Sequence, residues 1–222
     1  MSDIAKKSAK ILLDTKSVLC NVREPFTYTS GKQGPVYVDC RRPLSFPQER
    51  AQLMDMGADL LRQNVGADNI DVVAGAETAG IPYGALIADR LEKPMIYVRK
   101  QAKGHGRMSQ IEGHFDENAA PRVVLTEDLQ NFGSSKKVFI DALREAGANI
   151  EHFFVLFDYG VRPEVAADNK DMGLTQHNLC NWWDVIAVAK ELNYFDTETL
   201  TSVEEFLNDP AAWQNRQAAQ AS

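Results

Sequence analysis

"IDVVAGAETAGIPYGALIADRLEKPMIYV" (residues 70–98) decides the fold class. Its first residues form a near-continuous apolar run, which reads as a strand buried on both faces (70–75). A glycine-bearing turn follows, then "IPYGALIADRLE" (81–92) with helix-like patterning, then "MIYV" (95–98) as a short second strand. The pattern recurs downstream. "RVVLTE" (122–127) predicts a buried strand, "SSKKVFIDALREAG" (134–147) a helix stopped by Gly147, and "IEHFFVLF" (150–157) a closing strand. Apolar strands alternating with amphipathic helices predict an α/β fold, a mainly parallel sheet flanked by helices.

Upstream of this core, "FTYTSGKQGPVYVDCRRPLSFPQER" (26–50) predicts a hairpin around Ser30-Gly31-Lys32, with Pro47 opening a helix. Ile4, Ile11, Leu12, Val18 and Leu19 predict one amphipathic helix at the start. Downstream, "WWDVIAVAKELNYF" and "SVEEFLNDPAAWQ" predict two helices, with Ser202 and Glu205 as a capping box and "NRQAAQAS" as a frayed end. With neither repeats nor a low-complexity linker, the 222 residues read as a single domain.

Composition narrows the function. Lys and Arg total 24 against 31 Asp and Glu, a net charge of −7, which argues against nucleic acid as a partner. The 44% hydrophobic and 25% charged content is that of a soluble globular protein. No run approaches the roughly 18 apolar residues of a membrane span, and the N-terminus lacks the pattern of a secretory signal. Cys20, Cys40 and Cys180 show no CxxC spacing, so neither a disulfide framework nor a zinc site is expected, and reduced thiols point to the cytoplasm.

Against that acidic background, Arg99, Lys100, Lys103 and Arg107 cluster around His105, with Gly104 and Gly106 beside it and no acid between. One compact basic patch suits a small polyanion. In a parallel sheet, ligands bind beyond the carboxyl ends of the strands. There, Glu127 and Asp128 end the strand 122–127 and can accept hydrogen bonds from a vicinal diol such as a ribose; a merely solvated strand end is the other reading. Gly133, Ser134 and Ser135 then lead into a helix whose first N–H groups favour an anion, although "GSS" also serves as a plain N-cap. Diol acceptors beside a phosphate cradle suit a ribose 5-phosphate. No G-x-G-x-x-G or G-x-x-x-x-G-K-[ST] is present, which excludes the usual dinucleotide and P-loop sites.

Taken together, these residues resemble the orotate phosphoribosyltransferases of the type I phosphoribosyltransferase fold, from about residue 22 to about 195. "FTYTSGKQGPVYVDCRR" is similar to the family's pyrimidine-side segment, "VAGAETAGIP" to its diphosphate-side turn, "VRKQAKGHG…IEG" to its lid, and "VVLTEDLQNFGSS" to its ribose-phosphate signature. The resemblance implies a core over about 66–160 and a small hood from about 20–45 and the C-terminal helices. It implies transfer of ribose 5-phosphate from phosphoribosyl diphosphate to orotate in pyrimidine biosynthesis, with Mg²⁺ carried by the diphosphate rather than by a protein metal site. Lys103, His105 and Asp128 are then catalytic. Arg99, Lys100, Glu127, Leu129, Gln130, Asn131, Phe132, Gly133, Ser134, Ser135 and Tyr37 bind substrate. A homodimer is implied, its lid (99–113) reaching the neighbouring site.

Departures are concentrated in the phosphate loop. Asn131 replaces a threonine, Phe132 a small or polar residue, and Gln130 an apolar one. Thr29 stands where one branch has lysine, and "FDYGVRP" (157–163) lacks an Asp-Arg pair found in some members. They motivate two alternatives: a non-catalytic protein of the same fold that binds a phosphoribosylated ligand, and a transferase for another base. His114, His152 and His177 have no assigned role, and Trp182, Trp183 and Trp213 read as packing residues.

Overall fold

The computed structural model describes residues 1–28, 31–102, 110–131, 134–161 and 163–220. Its elements begin with α1 (Asp3–Asp14), β1 (Val18–Cys20), β2 (Phe26–Thr27), β3 (Gln33–Gly34) and β4 (Val36–Val38). Next come α2 (Pro47–Asn64), β5 (Val72–Ala76), α3 (Gly80–Leu91), β6 (Met95–Val98), β7 (Ile111–Glu112) and β8 (Arg122–Gln130). The remainder are α4 (Ser134–Glu145), β9 (Asn149–Asp158), α5 (Pro163–Asp171), β10 (Thr175–Asn181), α6 (Trp182–Leu192), α7 (Thr197–Asn208) and α8 (Pro210–Gln220). Contacts divide the chain into two compact units, Pro47–Leu179 and Met1–Phe46 with Cys180–Ser222.

The first of these holds a six-stranded sheet in the order β10-β9-β8-β5-β6-β7. β6, β5, β8 and β9 run parallel, and β7 closes one edge antiparallel to β6. One face carries an apolar cluster of Val72, Ala74, Val123, Leu125, Phe153 and Val155 with Phe139, Ile140 and Leu143 of α4. On α2, a Cβ at Gly57 would lie 2.9 Å from both Ile87 of α3 and Phe154 of β9. The sheet is thus covered on both faces, as the continuous apolar strands require.

Two elements differ from the sequence reading. β8 does not stop at Glu127 but continues to Gln130, because its ladder with β9 persists through Leu129↔Phe157 and Gln130↔Asp158. β9 is not the last strand, since β10 lies outside it. The run "TQHNLCN" mixes polar and apolar residues, so apolar continuity does not reveal it.

His177 on β10 is buried, with its Nε2 3.2 Å from Nδ1 of His152 on β9. Burial, then the neighbouring imidazole, lowers its pKa from 6.5 to about 4. Between those values the unfolded chain binds the extra proton and the folded chain does not, so stability falls as pH drops through that window. At about 1.4 kcal/mol per unit the loss is roughly 2–3 kcal/mol by pH 4.5. Urea unfolding at pH 7.5 and 4.5 checks this: the acid loss is expected to be smaller by that amount in His177→Gln, and an equal loss in both proteins would refute it.

In the terminal unit, α1 is capped by Ser2, whose hydroxyl accepts from the Ala5 N–H, and it buries Ala9, Ile11 and Leu12. It ends before Val18 and Leu19, which the sequence pattern had placed on the same helix. Lys16 takes a left-handed conformation (φ 55°) and the Thr15 hydroxyl donates back to the Ile11 carbonyl, so the chain turns into β1. β1 pairs with β4, and β2 with β3 as the expected hairpin. Gly34 of β3 has no room for a side chain: a Cβ there would sit 2.3 Å from the Tyr28 hydroxyl and 2.6 Å from the Phe206 ring. At the C-terminus three helices replace the two expected, and α8 extends to Gln220 where a frayed end was expected. α7 is capped by Asp196, not Ser202, and Pro210 opens α8. Ser202 instead accepts from the indole N–H of Trp213 at 2.9 Å. Trp182 and Trp213 are buried as packing residues, while Trp183 is 39% exposed and is not.

Candidate active site

The strand order reverses between β5 and β8: β5 connects through α3 to β6 on one side, while β8 lies on the other. Such a switch point opens a crevice beyond the carboxyl ends of the two strands. The turn 77–80 leaves β5 there, and Glu127 and Asp128 stand near the end of β8.

Glycines let these segments touch. A Cβ on Gly80 would lie 2.3 Å from the Thr126 carbonyl oxygen and 3.2 Å from Glu127 Cα. Gly75 and Gly84 are equally tight, since a Cβ on Gly84 would lie 2.9 Å from Gly75 Cα. The glycines of "GAETAGIPYG" therefore seat α3 directly on β5 and β8. The Glu77–Thr78 peptide is cis. Glu77 ties the turn to the end of β6: its carboxylate accepts from the Lys100 N–H at 2.8 Å, and its own N–H donates to the Val98 carbonyl at 2.9 Å. The turn 77–80 thus lies against both Lys100 after β6 and Glu127 on β8, at the carboxyl ends of the parallel strands.

The base of the basic segment is a paired stem. Arg99 N–H donates to the Gln110 carbonyl at 2.7 Å, and the Gln110 side chain donates back to the Arg99 carbonyl at 3.1 Å. Arg99 is not without an acid, as its local sequence implied. Its guanidinium is 3.7 Å from the Glu112 carboxylate, which β7 brings across from the far end of the segment. Lys100 is exposed. Lys103 and His105 lie outside the described residues, as do Phe132, Gly133 and Thr29.

Because β8 extends to Gln130, the acid pair sits inside a strand rather than in the turn after it. Alternation along a strand directs Glu127 and Asp128 to opposite faces. Leu129 and Asn131 are half-buried, and Ser134 and Ser135 are the first residues of α4. Gln130 departs from the expected role. Its side chain is turned into the protein, where its amide donates to Gln176 at 2.7 Å and its oxygen accepts from Lys136 at 3.0 Å. Its backbone carbonyl is taken by the Tyr159 N–H at 2.9 Å. Tyr37 lies in β4 of the terminal unit, 40% exposed, with its ring 5.8 Å from that of Phe26.

Sequence reasoning missed Lys136. It is fully buried, and its ammonium donates to Gln130 and to the Asn169 side-chain oxygen. It lies 4.3 Å from the centre of the Phe153 ring. Burial lowers its pKa to about 8, opposed by the fields of Glu127, Asp158 and Asp168. Burial also pushes the Asp158 carboxyl up. A sequence signal existed: Lys136 stands three and four residues before Phe139 and Ile140, on the stripe that faces the sheet.

No family model matches the chain. The structure is similar to that of an orotate phosphoribosyltransferase from Aeropyrum pernix, with a TM-score of 0.66 and 28% identity, covering 84% of this chain and 99% of that one. The fold is that of the type I phosphoribosyltransferases, and the chain is a pentosyltransferase enzyme. Among sequences, the orotate phosphoribosyltransferase of Ruegeria sp. is 49% identical, covering 96% of this chain and 93% of its own length. That of Dinoroseobacter shibae is 47% identical over the same shares. The chain belongs to the orotate phosphoribosyltransferase family.

Proposed function

We propose that the chain transfers ribose 5-phosphate from phosphoribosyl diphosphate to N1 of orotate, giving orotidine 5′-monophosphate and diphosphate for pyrimidine nucleotide synthesis. The supporting observation is the meeting of the turn 77–80, Lys100 and the Glu127/Asp128 pair at the switch point of the sheet. In the reaction the bond from the anomeric carbon to diphosphate oxygen breaks, a bond to N1 forms, and the proton on N1 is released. Positive charge develops on the sugar and negative charge on the leaving group.

Glu127 and Asp128 are assigned to the ribose hydroxyls. The segment 129–135 is assigned to the 5-phosphate, since the first N–H groups of a helix and its dipole favour an anion. Lys103 and His105, with Arg99, balance the charge of the departing diphosphate. Tyr37 is assigned to the pyrimidine, and the segment of about 20–45 with the C-terminal helices to the hood. The lid 99–113 excludes water that would otherwise capture the activated sugar, and it does so across a homodimer.

Mg²⁺ belongs to this reading as a companion of the substrate, neutralising diphosphate charge. Among the described residues no group of three or more His, Cys, Asp or Glu side chains gathers to hold a metal. Substrate oxygens and water are its proposed ligands, in keeping with the reluctance of Mg²⁺ to dehydrate. Among the described residues no helix is long and apolar enough to cross a membrane; the cytoplasm is the proposed location.

The test is direct. Purified protein with orotate, phosphoribosyl diphosphate and Mg²⁺ is expected to consume orotate, read as loss of its absorbance. Folded protein that binds the nucleotide product but gives no turnover overturns the catalytic reading. Preference for uracil or a purine in a competition assay reassigns the acceptor.

A further inference from the structure

Lys136 is costly where it stands. An ammonium removed from water loses strong hydration, and its acceptors here are two neutral amide oxygens and a phenyl face rather than a hydrogen-bonded carboxylate. The position lies on the apolar stripe of α4, where a leucine or methionine would pack without that penalty. Packing alone therefore does not explain a lysine.

Its connections point to the reaction. Through Gln130 it holds the residue two places beyond Asp128. Through Asn169 and Gln176 it ties the tail of β8 to α5 and β10: Asn169 donates to the Gln176 oxygen at 3.1 Å, and that oxygen also accepts from Gln130 at 2.7 Å. The charged groups whose fields reach it are Glu127 on β8, Asp158 on β9 and Asp168 on α5, all acidic. Glu127 is the one assigned to the sugar.

We propose that Lys136 is a positioning residue for phosphoribosyl transfer: from inside the unit it fixes the tail of β8 and places a positive charge behind Glu127. The inference rests on the assignment of the acid pair to ribose. As the lysine loses its proton near pH 8, the charge is lost and its two remaining N–H groups bond the amide oxygens more weakly, so the acid pair is held less firmly.

The test compares pH profiles of kcat/KM for phosphoribosyl diphosphate, which report ionisations of the free enzyme. The wild type is expected to lose about tenfold between pH 7 and 9.5, with a midpoint near 8. Lys136→Met is expected to begin about tenfold lower at pH 7, mainly through a raised KM, and to show no such limb. Should Lys136→Met fail to accumulate as folded protein, Lys136→Gln, which keeps a donor for the buried amides, replaces it. A flat wild-type profile, or a neutral variant that keeps both the limb and the wild-type KM, overturns the proposal. Absence of turnover in the wild type at every pH fails the enzymatic reading instead, so the two failures are distinct.

Discussion

Gly80→Ala is expected to lower kcat/KM by about a hundredfold or more and to destabilise the protein by about 3 kcal/mol. The alanine methyl would stand 2.3 Å from the Thr126 carbonyl oxygen and 3.2 Å from Glu127 Cα, both backbone atoms of a central strand. No rotamer relieves a contact with backbone, so either α3 lifts from the sheet or the end of β8 moves. The first exposes apolar surface from the core; the second shifts Glu127, proposed to hold the ribose, and a misplacement of about 1 Å of the substrate costs about two orders of magnitude. Urea unfolding and steady-state kinetics on the same preparation measure both effects. Wild-type values in both would show that the close approach of α3 to β8 is dispensable.

Lys103→Ala is expected to reduce kcat by about 10²–10³, with KM for both substrates changed less than about threefold. The cation is needed most when negative charge collects on the departing diphosphate, so its loss falls on the transition state rather than on the ground state. The stem formed by Arg99 and Gln110 holds both ends of the segment independently of residue 103. The variant is therefore expected to fold as the wild type does. An unchanged kcat in saturating substrate would remove Lys103 from the chemistry.

The core of the sheet is legible in the sequence because buried parallel strands are written as unbroken apolar runs. β6 matches its expected residues, and β5 and α3 lie within two residues of theirs. The β2–β3 hairpin is equally legible from its Ser-Gly-Lys turn. What escapes is set by contacts distant in sequence. The tail of β8 is polar, and only its ladder with β9 keeps "EDLQ" extended. β10 is hidden because four polar residues, "TQHN", open it, so no apolar run marks it. Val18 and Leu19 fit a helical stripe, yet the left-handed Lys16 turns them into a strand.

At the site, the acid pair and the glycine turn are recognisable in isolation, but their approach is a property of the sheet order. The polar group around Lys136 could be inferred only in part. Its helical phase marks the lysine as inward-facing, whereas its partners Gln130, Asn169 and Gln176 come from three separate elements.

The pinned stem beside β7 sets a length. Ten residues, 100–109, separate Arg99 from Gln110, whose backbones pair at the end of β6. Five out and five back, even fully extended, reach about 17 Å from it. A lid that serves a second subunit is a tether of that radius. If 99–113 is the proposed lid and serves a second subunit, the neighbour's site has to come within that distance plus a side-chain length of the Arg99 anchor.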